Sequence, residues 1–245
     1  MSDSGGYDLM KILNCKEVMG MHYAVSDIHG CGDKYYKLLE KLNLQKDDML
    51  FVLGDTLDRG KDGIEIIMDI QKRNNILHLC GNHEMTAYNI LYKMKSWRYW
   101  CPMPSESVKN WLKDGGHVTL GKFFELKEEE QWELLRYINL MPVARTIKIG
   151  EQDFLLAHTV ADKQKFTRRY QYAYLNYIYG EPEYEKVYDP TQIIVTGHTP
   201  TWLIDENYRG RIWRGNNHIA IDCGAVFGNP LGCICLETME EIYVE

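Results

Sequence analysis

The sequence predicts an α/β fold with two sheets, on three observations. Short apolar runs alternate with helical patterns in its first part, the last part is rich in strands, and small polar motifs recur where apolar runs end. The run 22–26 leads through 27–32 into a helical pattern carrying Leu38, Leu39 and Leu42. The run 49–53 leads into Ile64, Ile66, Ile67 and Ile70 at helical spacing, and 76–80 leads into a helix over 85–94. Strands that alternate with helices imply crossover connections and parallel pairing. From Val143 onward, strands are expected at 143–149, 154–158, 192–196, 211–213, 218–222 and 233–237, building a second sheet against the first.

Between these parts, residues 97–139 read as a helical insertion that walls a site. Residues 97–104 are aromatic and broken by proline, and Trp111-Leu112-Lys113-Asp114-Gly115-Gly116 is expected to end in a turn. Residues 128–139 are amphipathic, with Trp132, Leu135 and Ile138 on one face. The tyrosine-rich stretch 170–179 is expected to be a helix whose rings pack at the core boundary. Residues 1–20 are expected to be a leader without catalytic groups, with 21–245 as one domain.

A chain of 245 residues with 45% hydrophobic content can bury a full core. A mean hydropathy of -0.39 fits a soluble globular protein. No apolar run nears the roughly 18 residues that span a bilayer, and the N-terminus lacks the basic flank and apolar stretch of a secretory signal. Lys and Arg number 28 against 35 Asp and Glu, a net charge of -7. That balance argues against general nucleic-acid binding, which needs a basic face. The seven cysteines show no disulfide or zinc-finger spacing. They are expected to be reduced thiols, which places the protein in the cytoplasm.

Four motifs carry the chemistry: Asp27-Ile28-His29-Gly30, Gly54-Asp55-Thr56-Leu57-Asp58-Arg59-Gly60, Gly81-Asn82-His83-Glu84 and Gly197-His198-Thr199-Pro200. Each follows an apolar run, and ligands of open α/β sheets collect at the carboxyl ends of strands. Asp27 and His29 are alternate residues and can converge on one metal ion. Asp55 can bridge two ions, Asn82 can add an amide oxygen, and His158 and His198 can complete the second shell. Mixed nitrogen and oxygen ligation without thiolate suits Mn, Fe or Zn. Two such ions can hold a bridging hydroxide aimed in line at phosphorus. Arg59 can grip two phosphate oxygens. His83 can protonate the leaving group, with Asp58 orienting it and raising its pKa.

Taken singly, Asp-x-His-Gly is a commonplace loop, Gly-Asn-His-Glu a possible helix N-cap and Gly-His-Thr-Pro a turn. Gly-Asp-x-x-Asp-Arg-Gly is more specific, because a strand seldom ends in two acids and an arginine among glycines without a use. The joint, ordered occurrence points to phosphate-ester hydrolysis. His22, His78, His117 and His218 lack such company and read as ordinary core or surface residues.

With Leu156-Ala157-His158 as a fifth segment, these motifs resemble the phosphoprotein phosphatase family within the calcineurin-like metallophosphoesterases. Trp111-Leu112-x-x-Gly115-Gly116 and Ile221-Asp222-Cys223-Gly224-Ala225-Val226-Phe227 are similar to its compact bacterial and phage members. The resemblance covers nearly the whole chain after Met21. It implies a four-layer α/β/β/α fold and a dinuclear Mn, Fe or Zn centre. Carried over, Asp27 and His29 bind the first ion, Asp55 bridges, and Asn82, His158 and His198 bind the second. His83 and Asp58 form the proton-donor pair, while Arg59 and Asn82 face the substrate.

Two departures stand out. Ser26 occupies the place of a usual glycine, and only Arg168 and Arg169 lie where many members carry a second phosphate-binding arginine. The expected function is a phosphomonoesterase acting on phosphoserine or phosphothreonine in proteins, or on a small phosphate ester. The alternative is symmetrical hydrolysis of dinucleoside polyphosphates such as diadenosine tetraphosphate. A catalytically dead phospho-binding module ranks last, because the ligand set is complete.

Overall fold

The three N-terminal apolar runs form short strands, β1 (His22–Val25), β2 (Met49–Val52) and β3 (Ile76–His78). The structure is a computed structural model that describes residues 20–96, 105–161 and 173–245. Each strand hands over to a helix: α1 (Gly32–Leu42), α2 (Gly63–Ile70) and α3 (Asn82–Ser96). Pairing of β1 with β2 and of β2 with β3 is parallel, as crossover helices require. One face of this sheet is sealed by helix side chains: Tyr35, Leu38, Ile66 and Ile70 pack on Val25, Leu50 and Val52.

With β4 (Ala144–Ile149), β5 (Gln152–Ala157), β6 (Gln192–Thr196), β7 (Trp213–Gly215), β8 (His218–Ala220), β9 (Leu231–Cys235) and β10 (Glu241–Val244), the second sheet runs β4-β5-β6-β8-β7 and the first β10-β9-β1-β2-β3. In the second sheet, β4 pairs antiparallel with β5, and β6 is parallel to both β5 and β8. The two sheets face each other across a shared core: Ala24, Phe51 and Leu53 meet Ile147, Phe154, Leu156, Val195 and Ile219. The architecture is therefore two mixed sheets with flanking helices. At β8 the outer face of the second sheet is covered by a loop residue, Tyr184, stacked on His218 with ring centroids 5.0 Å apart.

Three details differ from the sequence expectation. The run expected at 233–237 forms β9 (Leu231–Cys235) and joins the first sheet, antiparallel to β1 with Val25 opposite Cys233. All five of its residues are buried. With no polar alternation, nothing in its pattern could say which sheet it enters. β7 is shifted to Trp213–Gly215 and closes a hairpin on β8 through Asn216 and Asn217, whose φ angles of 51° and 57° make the left-handed two-residue turn. An edge strand, β10 (Glu241–Val244), was not expected at all.

From residue 105 onward, the stretch expected as an insertion carries more helix than its pattern announced: α4 (Glu106–Trp111), α5 (His117–Glu125) and α6 (Glu128–Leu140). The Gly115-Gly116 turn is a kink between α4 and α5, not a terminus. Leu135 and Ile138 are buried from α6, while Trp132 is half-buried. Residues 1–19 and 97–104, together with Arg168, Arg169 and the start of the tyrosine stretch, lie outside the described residues. The rest of that stretch forms short helical turns at Ala173–Leu175 and Asn176–Tyr179. Among the described residues, the five cysteines are free and no helix is long and apolar enough to cross a membrane.

Phe154 is 1% exposed between the sheets, whereas Phe124 on α5 is 55% exposed. Phe154→Ala is expected to lower unfolding stability by about 3–5 kcal/mol, and Phe124→Ala by less than about 1. Urea unfolding of the two variants checks the difference.

Candidate active site

Ten non-glycine residues among those described have positive φ, and six of them are Asp27, His29, Asp55, Asp58, Arg59 and His198. Left-handed backbone is costly for such residues and persists only where surrounding contacts enforce it. Here the strain gathers at the ends of β1, β2 and β6, where the motifs leave the sheets. Two glycines show how tight the packing is. A Cβ at Gly81 would stand 2.2 Å from Asp55 Oδ1, and one at Gly197 would stand 2.0 Å from Asp27 Oδ2.

These loops bring the expected residues into one cluster. Oδ2 of Asp55 lies 3.7 Å from Nε2 of His29 and 3.4 Å from Nε2 of His158. Asp27 Oδ1 is 3.9 Å from His29 Nε2. On the other side, His158 Nε2, His198 Nδ1 and Asn82 Oδ1 lie 2.9 to 3.0 Å from one another. Two overlapping groups thus share Asp55: His29 with His83, and His158 with His198, each with donor atoms within 4.8 Å.

The ring orientations are set from behind. His29 Nδ1 donates to the carbonyl of Leu57 and His158 Nδ1 to that of Leu53, both at 2.8 Å. Each Nε2 lone pair is thereby turned toward Asp55, the arrangement a metal-binding histidine needs. Burial, followed by nearby positive groups, drives His29 well below the ordinary histidine pKa and His198 down to about 3. Their rings are neutral at pH 7, so each keeps a nitrogen lone pair that a metal ion can use. Buried carboxylates, neutral imidazoles and an amide oxygen, with no thiolate, form a donor set that fits divalent cations.

His83 is held differently. Its Nδ1 donates to Asp58 Oδ2 at 2.7 Å, and the same carboxylate accepts from Trp111 Nε1 at 2.8 Å and Thr119 Oγ1 at 2.5 Å. Burial works against a charge on the ring, but Asp55 and Asp58 outweigh it and raise the His83 pKa to about 9. Arg59 reaches the same face: Nη1 donates to His29 Nε2 at 2.7 Å, and Nη2 comes within 3.2 Å of His83 Nε2. Every site residue expected from the sequence within the described segments therefore meets in one place. The geometry can polarise a phosphate, neutralise its charge and deliver a proton.

The sequence profile of the calcineurin-like phosphoesterases matches residues 23–220. The chain belongs to this family. Among relatives of this calcineurin-like phosphoesterase, the asymmetrical bis(5'-nucleosyl)-tetraphosphatase PrpE of Bacillus velezensis is 29% identical, with 90% of this chain and 91% of the relative aligned. PrpE of Bacillus subtilis is 28% identical over 84% and 87% of the two chains. The symmetrical bis(5'-nucleosyl)-tetraphosphatase of Wigglesworthia glossinidia brevipalpis is 34% identical over 76 residues, and the match spans 28% of that relative. A crystal structure assigned provisionally as a diadenosine tetraphosphatase superposes with a TM-score of 0.63 at 16% identity, covering 94% of this chain and 96% of the other. A Saccharomyces cerevisiae protein serine/threonine phosphatase superposes at 0.59 and 15%, covering 89% and 73%. At such identities these structures share the fold.

Sequence reasoning gave no role to Glu84, Thr119 or Asp114. Glu84 is fully buried and accepts from the amides of Asp55, Thr56, Leu57 and Gly81 at 2.7 to 3.0 Å. Its place in Gly81-Asn82-His83-Glu84 was the available signal, one turn into a helix that faces the loop. Thr119 and Asp114 are brought in by the fold alone.

The raised pKa of His83 gives the calcineurin-like phosphoesterase a pH-dependent stability in its metal-free form. The folded ring titrates near 9, against about 6.5 when unfolded. Its contribution is complete below about pH 6.5 and is lost as pH rises through 9. The stability gap between wild type and His83→Asn is expected to shrink by on the order of 3 kcal/mol across that window. Urea titrations at several pH values read it, and a constant gap contradicts the assignment.

Proposed function

We propose that this phosphoesterase is a divalent-metal-dependent hydrolase of dinucleoside polyphosphates. One observation carries the chemistry: Asp55 stands between His29 on one side and His158 with His198 on the other, with the Arg59 guanidinium beside them. The substrate class is supported by the relatives aligned over most of their length, which are bis(5'-nucleosyl)-tetraphosphatases.

In this reading Asp27, His29 and Asp55 hold one ion, and Asp55, Asn82, His158 and His198 hold the other. When bound, such a pair of Mn, Fe or Zn ions supplies Lewis-acid polarisation of phosphoryl oxygens and activation of water. The protein does the rest. Arg59 binds phosphate oxygens and counters the charge that builds on them. Asn82 faces the substrate. His83, its Nδ1 proton held by Asp58, gives its Nε2 proton to the leaving oxygen. Asp58 keeps Nδ1–H engaged, so that Nε2 faces outward. Beside the phosphate position, Phe227 is 57% exposed, with its ring 5.4 Å from the Arg59 guanidinium and edge-on to Trp202. A largely exposed aromatic ring next to a phosphate clamp suits a nucleoside better than a peptide.

Hydrolysis of phosphoserine or phosphothreonine, the first expectation from the sequence, becomes the second reading. Its support is the same donor cluster, and the likeness to the yeast phosphatase, being one of fold, does not lift it above the first. The intact donor set and the His83–Asp58 pair argue against a dead binding module.

Metal-loaded protein is to be assayed on diadenosine tetraphosphate, a phosphothreonine peptide and 4-nitrophenyl phosphate. The dinucleotide is expected to give the highest kcat/KM, with ATP and AMP as products if cleavage follows the asymmetrical relatives. A higher kcat/KM on the peptide would reverse the order of the two readings. Asp55→Asn is expected to abolish turnover and lower the bound metal. Elemental analysis finding two ions per chain in that variant would remove Asp55 from the shared position.

A further inference from the structure

Asp114 stands against Arg59 at the mouth of the site. Arg59 Nη2 donates to Asp114 Oδ1 at 3.1 Å, and Asp114 Oδ2 lies 3.6 Å from His83 Nε2. The Asp114 side chain is 58% exposed, and an exposed ion pair contributes little to stability. Stability therefore does not explain its position.

That position is nevertheless fixed by the backbone around it. Arg59 N donates to the carbonyl of Gly115 at 3.2 Å. Gly115 has a φ of 97°, and a Cβ there would lie 2.5 Å from Arg59 N. Gly116 packs against the Trp111 ring, whose Nε1 donates to Asp58. The kink that carries Asp114 is thus docked on Asp58 and Arg59, and the carboxylate is anchored beside the two groups that face the phosphate.

We infer that Asp114 sets the charge the phosphate site accepts, favouring a singly charged phosphate over the dianion of a terminal phosphomonoester. The ligand class is the internal phosphate of a nucleotide anhydride, which has one ionisable oxygen. The inference rests on Arg59 and His83 facing the phosphate, as in the reading above. A phosphate that engages Arg59 must sit next to Asp114, and each further negative charge on it meets that carboxylate. Asp27 and Asp55 point into the donor cluster, where bound cations would offset them; Asp114 lies outside it, and its charge is met by Arg59, the same group the phosphate engages. Over about 5 Å at a water-exposed position, with an effective dielectric constant of about 40 to 80, one extra charge is worth roughly a 4- to 20-fold effect.

The test uses full-length, metal-loaded protein carrying Asp114→Asn or Asp114→Ala. Relative to diadenosine tetraphosphate, kcat/KM for 4-nitrophenyl phosphate is expected to rise roughly 4- to 20-fold in both variants. The Kd of inorganic phosphate, measured by calorimetry at pH 8, is expected to fall by a similar factor. Asparagine keeps an acceptor for Arg59 and alanine does not, so a parallel shift assigns the effect to charge. Unchanged selectivity and unchanged or weaker phosphate binding would mean that Asp114 only steadies Arg59, and would overturn the inference. If the wild type does not cleave diadenosine tetraphosphate, the substrate class proposed above fails, and phosphate affinity alone decides the role of Asp114.

Discussion

The Glu84 carboxylate is the contact on which the rest of the site depends. It accepts from four backbone amides, those of Asp55, Thr56, Leu57 and Gly81. Leaving such donors buried and unpaired would cost about 1–3 kcal/mol each. Gathered on one carboxylate, they let the chain leave β2 in a left-handed turn and still satisfy its polar groups. The same contact ties the end of β2 to the end of β3 and sets the direction of Asp55, whose Oδ1 then accepts from His83 N at 3.0 Å. Burial opposes a charge on Glu84, but His78 and the amide donors outweigh it and hold the carboxyl below its ordinary pKa.

A second constraint is that the site belongs to neither sheet alone. Asp27, His29, Asp55, Asn82 and His83 follow strands of the first sheet, whereas His158 and His198 follow strands of the second. Two hydrogen bonds lock the halves together at the donor end: His158 Nδ1 to the carbonyl of Leu53, and His198 N to Asp27 Oδ2, both at 2.8 Å. Below them Phe51, Phe154, Leu156 and Ile219 fill the space between the sheets. A slip of one sheet against the other would separate the donors. Cations held across this seam would in turn bind the sheets to each other, which couples metal binding to stability.

The helical insertion acts on the substrate side through Asp58 and Arg59. Trp111 and Thr119 close on the Asp58 carboxylate, and the kink between them docks on the Arg59 backbone. One acid thus receives three side-chain donors, which keeps it aimed at His83.

The alternation of strands and helices, and the polar motifs at strand ends, were legible in the sequence because they depend on local periodicity and on residue chemistry. Asp27, His29, Asp55, Asn82, His158 and His198 could be named for that reason, and so could the pairing of His83 with Asp58. β9 could not be placed, since five buried residues carry no alternation to show which sheet receives them. Nor could Thr119 and Asp114 be found, since each reaches Asp58 or Arg59 from more than 50 residues away in the chain. The sequence alone was enough to name the polar residues that gather at the strand ends and the order of the elements that present them. How two sheets share one donor cluster, and which carboxylate stands at its mouth, emerged in the folded chain alone, because both depend on contacts between segments whose separate patterns say nothing of one another.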